Sequence, residues 1–219
     1  MIKDFGFIIP QNCQFGMGAL KKLPDFLKAA GSDNVMLISD RGLEAIGVVD
    51  KVREIIKGAN LKYSEYLDVL PNPTTTIVDE CAAQYKAAGC TAIIALGGGS
   101  PMDVAKAVGV VAKFGGTIGD YEGVGKVPGP IDTLIAVPTT AGTGSEVTVA
   151  AVITDEARNY KLSVLGPEIS PTYAVLDPEL IMTAPASVAG LCLQRHRRSD
   201  PRHGILHQHR CQPLRHGNG

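Results

Sequence analysis

Short apolar runs alternate along the chain with longer segments in which apolar residues recur every three or four positions. Buried strands are expected at residues 5–9, 35–39, 63–69, 91–96, 133–137 and 173–176, where four to seven mostly apolar or aromatic residues stand between turn signals. Between them, helical spacing predicts helices over 19–30 (Leu20, Leu23, Phe26, Leu27), 43–57 and 77–88, and another after Ser100 with Val104, Ala105, Val108 and Val111 on one face. Gly31 stops the helix at 19–30, and the one at 77–88 is capped by Thr74 or Thr75 and stopped by Gly89. Residues 147–154 and 160–165 read as strands joined by the turn Asp155-Glu156-Ala157-Arg158-Asn159, a hairpin. Strand and helix alternation of this kind predicts an α/β fold with a parallel, doubly wound, Rossmann-like sheet carrying a β-hairpin.

The stretch TAIIALGGGSPMDVAKAVG at 91–109 joins a strand to a helix through Gly97, Gly98 and Gly99. Ser100 is expected as the N-cap and Pro101 as the first helical residue. A glycine turn at a helix N-terminus lets backbone N–H groups approach an anion, so a diphosphate suits it, although the run is not GxGxxG. In open α/β sheets ligands bind beyond the carboxyl ends of the strands. Asp40, Asn72 and the Gly97–Ser100 turn all fall at such ends. Asp40 is placed either to bind ribose hydroxyls or to cap the next helix. A second small, hydroxyl-rich loop, Pro138-Thr139-Thr140-Ala141-Gly142-Thr143-Gly144-Ser145-Glu146, follows the strand at 133–137 and suits phosphate or ribose contacts. Gly16 and Gly18 read as a loop-to-helix turn.

Composition adds exclusions and one anomaly. The formal net charge of −1 gives no electrostatic case for nucleic acid or a membrane surface. No apolar run has the length of a membrane span and the first residues lack the form of a signal peptide, so a cytoplasmic location is expected. The five cysteines form no CxxC pair and read as reduced thiols. All five histidines and six of the nine arginines lie after residue 190, and none of the twelve lysines does. The chain is therefore expected to divide into a nucleotide-binding domain at 1–189 and an aberrant tail at 190–219.

With Phe15-Gly16-Met17-Gly18, Pro71-Asn72-Pro73-Thr74, GGGSPMDVAKAVG, PTTAGTGSEVTVAAVITDE, Lys161 and Asp177-Pro178-Glu179-Leu180 assembled, residues 5–189 resemble the iron-dependent (group III) alcohol dehydrogenases, in their lactaldehyde reductase and 1,3-propanediol dehydrogenase branch. The resemblance implies an NAD(P)-binding domain followed by an all-helical domain holding one divalent metal, usually Fe²⁺. The activity it implies is hydride transfer between small alcohols or diols and NAD, in a homo-oligomer. It implies a diphosphate on Gly97, Gly98, Gly99 and Ser100, Asp40 at the adenosine ribose, Asn72 near the cofactor, Thr139, Thr140, Thr143 and Ser145 on the adenine and ribose side, and Lys161 near a ribose. Asp40 would favour NAD over NADP, because a carboxylate repels a 2′-phosphate.

The same resemblance implies metal ligands in a GxDALTHA motif after residue 189, with Asp and His on one helix face. The chain reads GLCLQRHRRSDPRHGILHQHRCQPLRHGNG instead, with Pro201 between Asp200 and His203. Codons can be chosen for residues 190 onward such that reading one nucleotide later gives ASACNGIDALTHAMESYISTDA, so a shifted reading frame is expected there. No metal ligand or catalytic residue is therefore assigned in this chain, and a nucleotide-binding fragment without turnover is the alternative to an active enzyme. Two further readings of the tail are a His-rich metal site (His203, His207, His209) and an arginine-rich patch for nucleic acid or anionic lipid.

Overall fold

The computed structural model describes residues 12–182. The expected strand at 5–9 and the tail from 190 lie outside them. Six strands form one wholly parallel sheet: β1 (Asn12–Phe15), β2 (Asn34–Ile38), β3 (Lys62–Tyr66), β4 (Ala92–Gly97), β6 (Thr133–Pro138) and β9 (Tyr173–Leu176), in the spatial order β1-β9-β6-β4-β2-β3. The helices are α1 (Leu23–Ala29), α2 (Arg41–Ala45), α3 (Val48–Gly58), α4 (Thr75–Ala87), α5 (Gly99–Phe114) and α6 (Pro178–Met182).

The pleat sorts the central strands between two cores. Met36 and Ile38 of β2, Ile93 and Ala95 of β4 and Leu134 and Ala136 of β6 pack with α4 and α5. Their alternates, Val35 and Leu37, Ile94 and Leu96, and Ile135 and Val137, pack with α1 and α3. Both faces are thus covered, which is why these strands read as nearly continuous apolar runs.

A smaller sheet packs beside α5. β7 (Ala150–Asp155) and β8 (Tyr160–Leu165) form the expected antiparallel hairpin, and β5 (Gly123–Val124) pairs in parallel with β8. Other boundaries differ from expectation: β3 ends at Tyr66 rather than at residue 69, and β7 begins at Ala150 rather than at residue 147, where a 3₁₀ turn over Ser145–Val147 stands instead. The helix expected at 43–57 is two helices, because Gly47 adopts a φ of 74°, which breaks the α2–α3 run. The helix expected at 19–30 begins as a 3₁₀ turn at Ala19–Lys22, with Pro24 in the first turn of α1. Ser100 is not the N-cap: Gly98 is, and Ser100 and Pro101 lie inside the first turn of α5, where Pro costs no hydrogen bond.

The strand order determines where a ligand can enter. From β2 the chain moves outward to β3, whereas from β4 it moves the other way to β6. The loops leaving β2 and β4 therefore diverge, and a crevice opens between their carboxyl ends. Among the described residues no helix is long and apolar enough to cross a membrane. Cys13, Cys81 and Cys90 are free thiols.

Candidate nucleotide-binding site

That crevice is a cavity of about 540 Å³ lined by Asp40, Arg41, Asp68, Gly98, Gly99, Ser100 and Thr140, with Leu67, Val69 and Leu70 among its apolar walls. Its floor follows from strand register. Leu96 lies opposite Val137 and Gly97 opposite Pro138, and the N–H of Thr139 donates to the carbonyl of Gly97 at 3.0 Å. The first residues beyond the two strands, Gly98–Gly99 and Thr139–Thr140, are thereby brought side by side.

Contact leaves little room for a side chain at the first two glycines. Gly97 has a φ of 146°, and a Cβ there would stand 2.7 Å from Pro101 Cγ. A Cβ on Gly98 would stand 3.1 Å from Thr140 Oγ1, and one on Gly99 would touch Thr143. Thr140 Oγ1 is a buried hydroxyl with no hydrogen-bond partner among the described residues. An orphaned hydroxyl costs about 1–3 kcal/mol, and a phosphate oxygen or ribose hydroxyl beside it would satisfy it. The amides opening the 16-residue α5 and the partial positive charge at its N-terminus act at the same place. A glycine cradle, an unsatisfied hydroxyl and a helix N-terminus are the fittings that a dinucleotide diphosphate requires.

Of the two expectations for Asp40, the structure shows the helix cap. Its Oδ1 caps α2 by accepting the N–H of Leu43 at 2.9 Å, and the residue also lines the cleft. Asn72, Thr139, Thr143, Ser145 and Lys161 do not line the cavity. Thr139 and Ser145 are buried. Asn72, in a left-handed conformation with φ 56°, accepts a 2.7 Å bond from Lys161 Nζ at its Oδ1, and this joins β8 to the loop after β3. The N–H of Thr154 donates to Pro73 O at 2.8 Å in the same contact. The Gly16–Gly18 turn is held by Asp177, whose carboxylate accepts from the N–H groups of Gly18 at 3.2 Å and Leu20 at 3.0 Å.

Two residues of α5 not singled out from the sequence hold the hydroxyl-rich loop in place. Lys106 is fully buried, and its Nζ donates to the carbonyls of Ser145 (2.8 Å), Thr148 (2.9 Å) and Ala150 (2.8 Å), with the Ser145 and Thr148 hydroxyls at 3.4 and 3.1 Å. Burial pushes its ammonium down to about 8 from the ordinary 10.5, with Asp103 and Glu146 partly opposing the shift. Asp103, one turn earlier, accepts from the Ser145 hydroxyl at 2.8 Å and the Val152 N–H at 3.3 Å. Burial raises its carboxyl, and the Ser145 hydrogen bond and the Lys106 charge oppose this. The available signal was a lone lysine within the apolar run Val104 to Ala112, where a charge survives only if it is fully partnered.

The comparisons place the chain in one family. Residues 10–178 match the family model described as iron-containing alcohol dehydrogenase. The chain belongs to the iron-containing alcohol dehydrogenase family. It is 41% identical over 182 residues to the NAD-dependent methanol dehydrogenase of Bacillus methanolicus, an alignment covering 83% of this chain and 48% of the relative. A crystal structure of a 1,3-propanediol oxidoreductase superposes with a TM-score of 0.84 at 30% identity, over 87% of this chain and 50% of that one. The sulfoacetaldehyde reductase of Bifidobacterium kashiwanohense, solved in complex with NAD+, gives a TM-score of 0.77 at 33% identity, over 86% and 49%. The chain thus spans about half the length of the relatives it matches.

Proposed function

We propose that residues 12–182 are the cofactor-binding half of an NAD-dependent alcohol dehydrogenase acting on small alcohols, diols or their aldehydes. The observation that carries this reading is the Gly98–Thr140 contact, a glycine cradle facing an unpartnered buried hydroxyl at the N-terminus of α5. NAD supplies the hydride acceptor. The protein's part is to seat the diphosphate on the amides of Gly98, Gly99 and Ser100, to offer Asp40 to the ribose hydroxyls, and to keep the Thr139–Ser145 loop fixed through Lys106. An NAD-dependent relative and an NAD+-bound structural neighbour support the choice of cofactor.

The family's iron does not fit the described residues. Among them no group of three or more His, Cys, Asp and Glu side chains is arranged to hold a metal ion, and no histidine precedes residue 196. We therefore assign metal binding in the whole protein to a part beyond residue 182. On this reading the 219-residue polypeptide binds nucleotide without oxidising alcohols, in the cytoplasm, and the whole enzyme is a homo-oligomer.

Titration of the 219-residue chain with NAD tests the cleft. The wild type is expected to bind and Gly98→Val to bind at least about tenfold more weakly, since the added methyls displace Thr140 from a gap already at contact distance. Equal affinities refute the assignment. Robust oxidation of ethanol, butanol or propane-1,2-diol by the purified chain with added Fe²⁺ refutes the division of labour.

A further inference from the structure

The cleft contains an arginine that is already occupied. Arg41, the residue after Asp40, lines the same cavity with about 62% of its side chain exposed. Its Nε donates to Asp68 Oδ1 at 2.8 Å, its Nη2 to Asp68 Oδ2 at 3.3 Å and its Nη1 to Glu44 Oε2 at 2.8 Å. Its guanidinium is held charged by these two carboxylates. In dinucleotide folds an arginine at the ribose end is the group that accepts the 2′-phosphate of NADP, through the fork geometry that suits phosphate oxygens.

We propose that Asp68 and Glu44 form a clamp that withholds Arg41 from a 2′-phosphate, making them specificity-determining residues that act with Asp40 to set the cleft for NAD. This rests on the nucleotide reading above. With Arg41 carrying one positive charge and Asp40, Asp68 and Glu44 one negative charge each, the group presents a net charge of −2 to an incoming dianion.

The clamp is built by the scaffold. Asp68 reaches Arg41 because Asp40 and Asp68 pair across an antiparallel bridge at the ends of β2 and β3, where Ser39 N–H donates to Tyr66 O at 3.0 Å and Val69 N–H to Ser39 O at 3.4 Å. Glu44 stands three residues from Arg41 on α2, and its other oxygen accepts from Arg53 Nη2 at 2.7 Å. Arg53 is in turn fixed by Glu65, at 2.7 and 2.6 Å, and by Asp50 at 2.8 Å. Each carboxylate therefore stands ready for Arg41 before any ligand arrives.

An exposed ion pair is weak, so the clamp is reversible and its removal has a modest, measurable effect. The experiment compares NAD and NADP affinities of the full chain at fixed ionic strength for the wild type, Asp68→Asn, Asp68→Asn with Glu44→Gln, and that pair with Arg41→Ala. Asp68→Asn is expected to raise the ratio of NADP to NAD affinity roughly fivefold, and the double variant roughly tenfold, through tighter NADP binding. Adding Arg41→Ala is expected to abolish the gain, which separates a freed arginine from a simple loss of negative charge. Unchanged NADP affinity in variants that still bind NAD overturns the clamp and leaves the nucleotide reading intact, as does a gain that survives Arg41→Ala. Failure of the wild type to bind either nucleotide overturns both.

Discussion

Lys106 and Lys161 both join the β7–β8 region to the rest of the domain, and they do so in opposite physical regimes. Lys106 is enclosed on α5 and spends its ammonium on three backbone carbonyls and two hydroxyls of residues 145–150. Lys161 is exposed on β8 and makes a single 2.7 Å bond to Asn72. In water-poor surroundings each acceptor left without its donor retains its full desolvation cost, whereas at the surface water replaces the partner almost at once. Lys106 is thus the strut of the hydroxyl-rich loop. Lys161 is a surface tie.

Removing the buried charge should have the largest effect. Lys106→Met keeps the aliphatic stem and deletes the donors to Ser145, Thr148 and Ala150. Stability is expected to fall by roughly 3–5 kcal/mol, read from the denaturant midpoint, with NAD affinity lost as the loop loosens. A variant as stable as the wild type would mean that the desolvation cost of the ammonium already cancels its bonds.

The pH dependence is the next largest effect and distinguishes the lysines without a structural change. Folding lowers the Lys106 ammonium from the ordinary 10.5 to about 8. Between those two values the unfolded chain binds one more proton than the folded chain, so this group makes stability rise with pH across that window, by up to about 3 kcal/mol. Below about 8 both states are protonated and its contribution is flat. Urea melts at pH 7.5, 8.5 and 9.5 should show this slope in the wild type and lack it in Lys106→Met.

Lys161→Met should have the smallest effect. The loss expected is at most about 0.5–1 kcal/mol, since an exposed pair is largely replaced by water. A loss of several kcal/mol would show that the contact between the hairpin and the Pro71–Thr74 loop depends on this one bond and would erase the contrast with Lys106.

Local patterning determined much of this protein. Runs of apolar residues marked β2, β4 and β6, because a strand buried on both faces must be apolar throughout, whereas the edge strand β3 is apolar only in part. The strand–GGGS–helix order located the glycine turn that opens α5, because glycine permits the φ of Gly97 and the close approach of Thr140 to Gly98. The tertiary structure decided what depends on register and burial. Gly97 opposite Pro138 brings Thr140 against Gly98, and the Asp40–Asp68 bridge delivers a carboxylate to Arg41. The interior position of α5 turns Lys106 from one more surface cation into the loop's anchor. None of these is visible locally, because a side chain's partners come from segments 27 to 44 residues away, and only the packed sheet brings them within hydrogen-bonding distance.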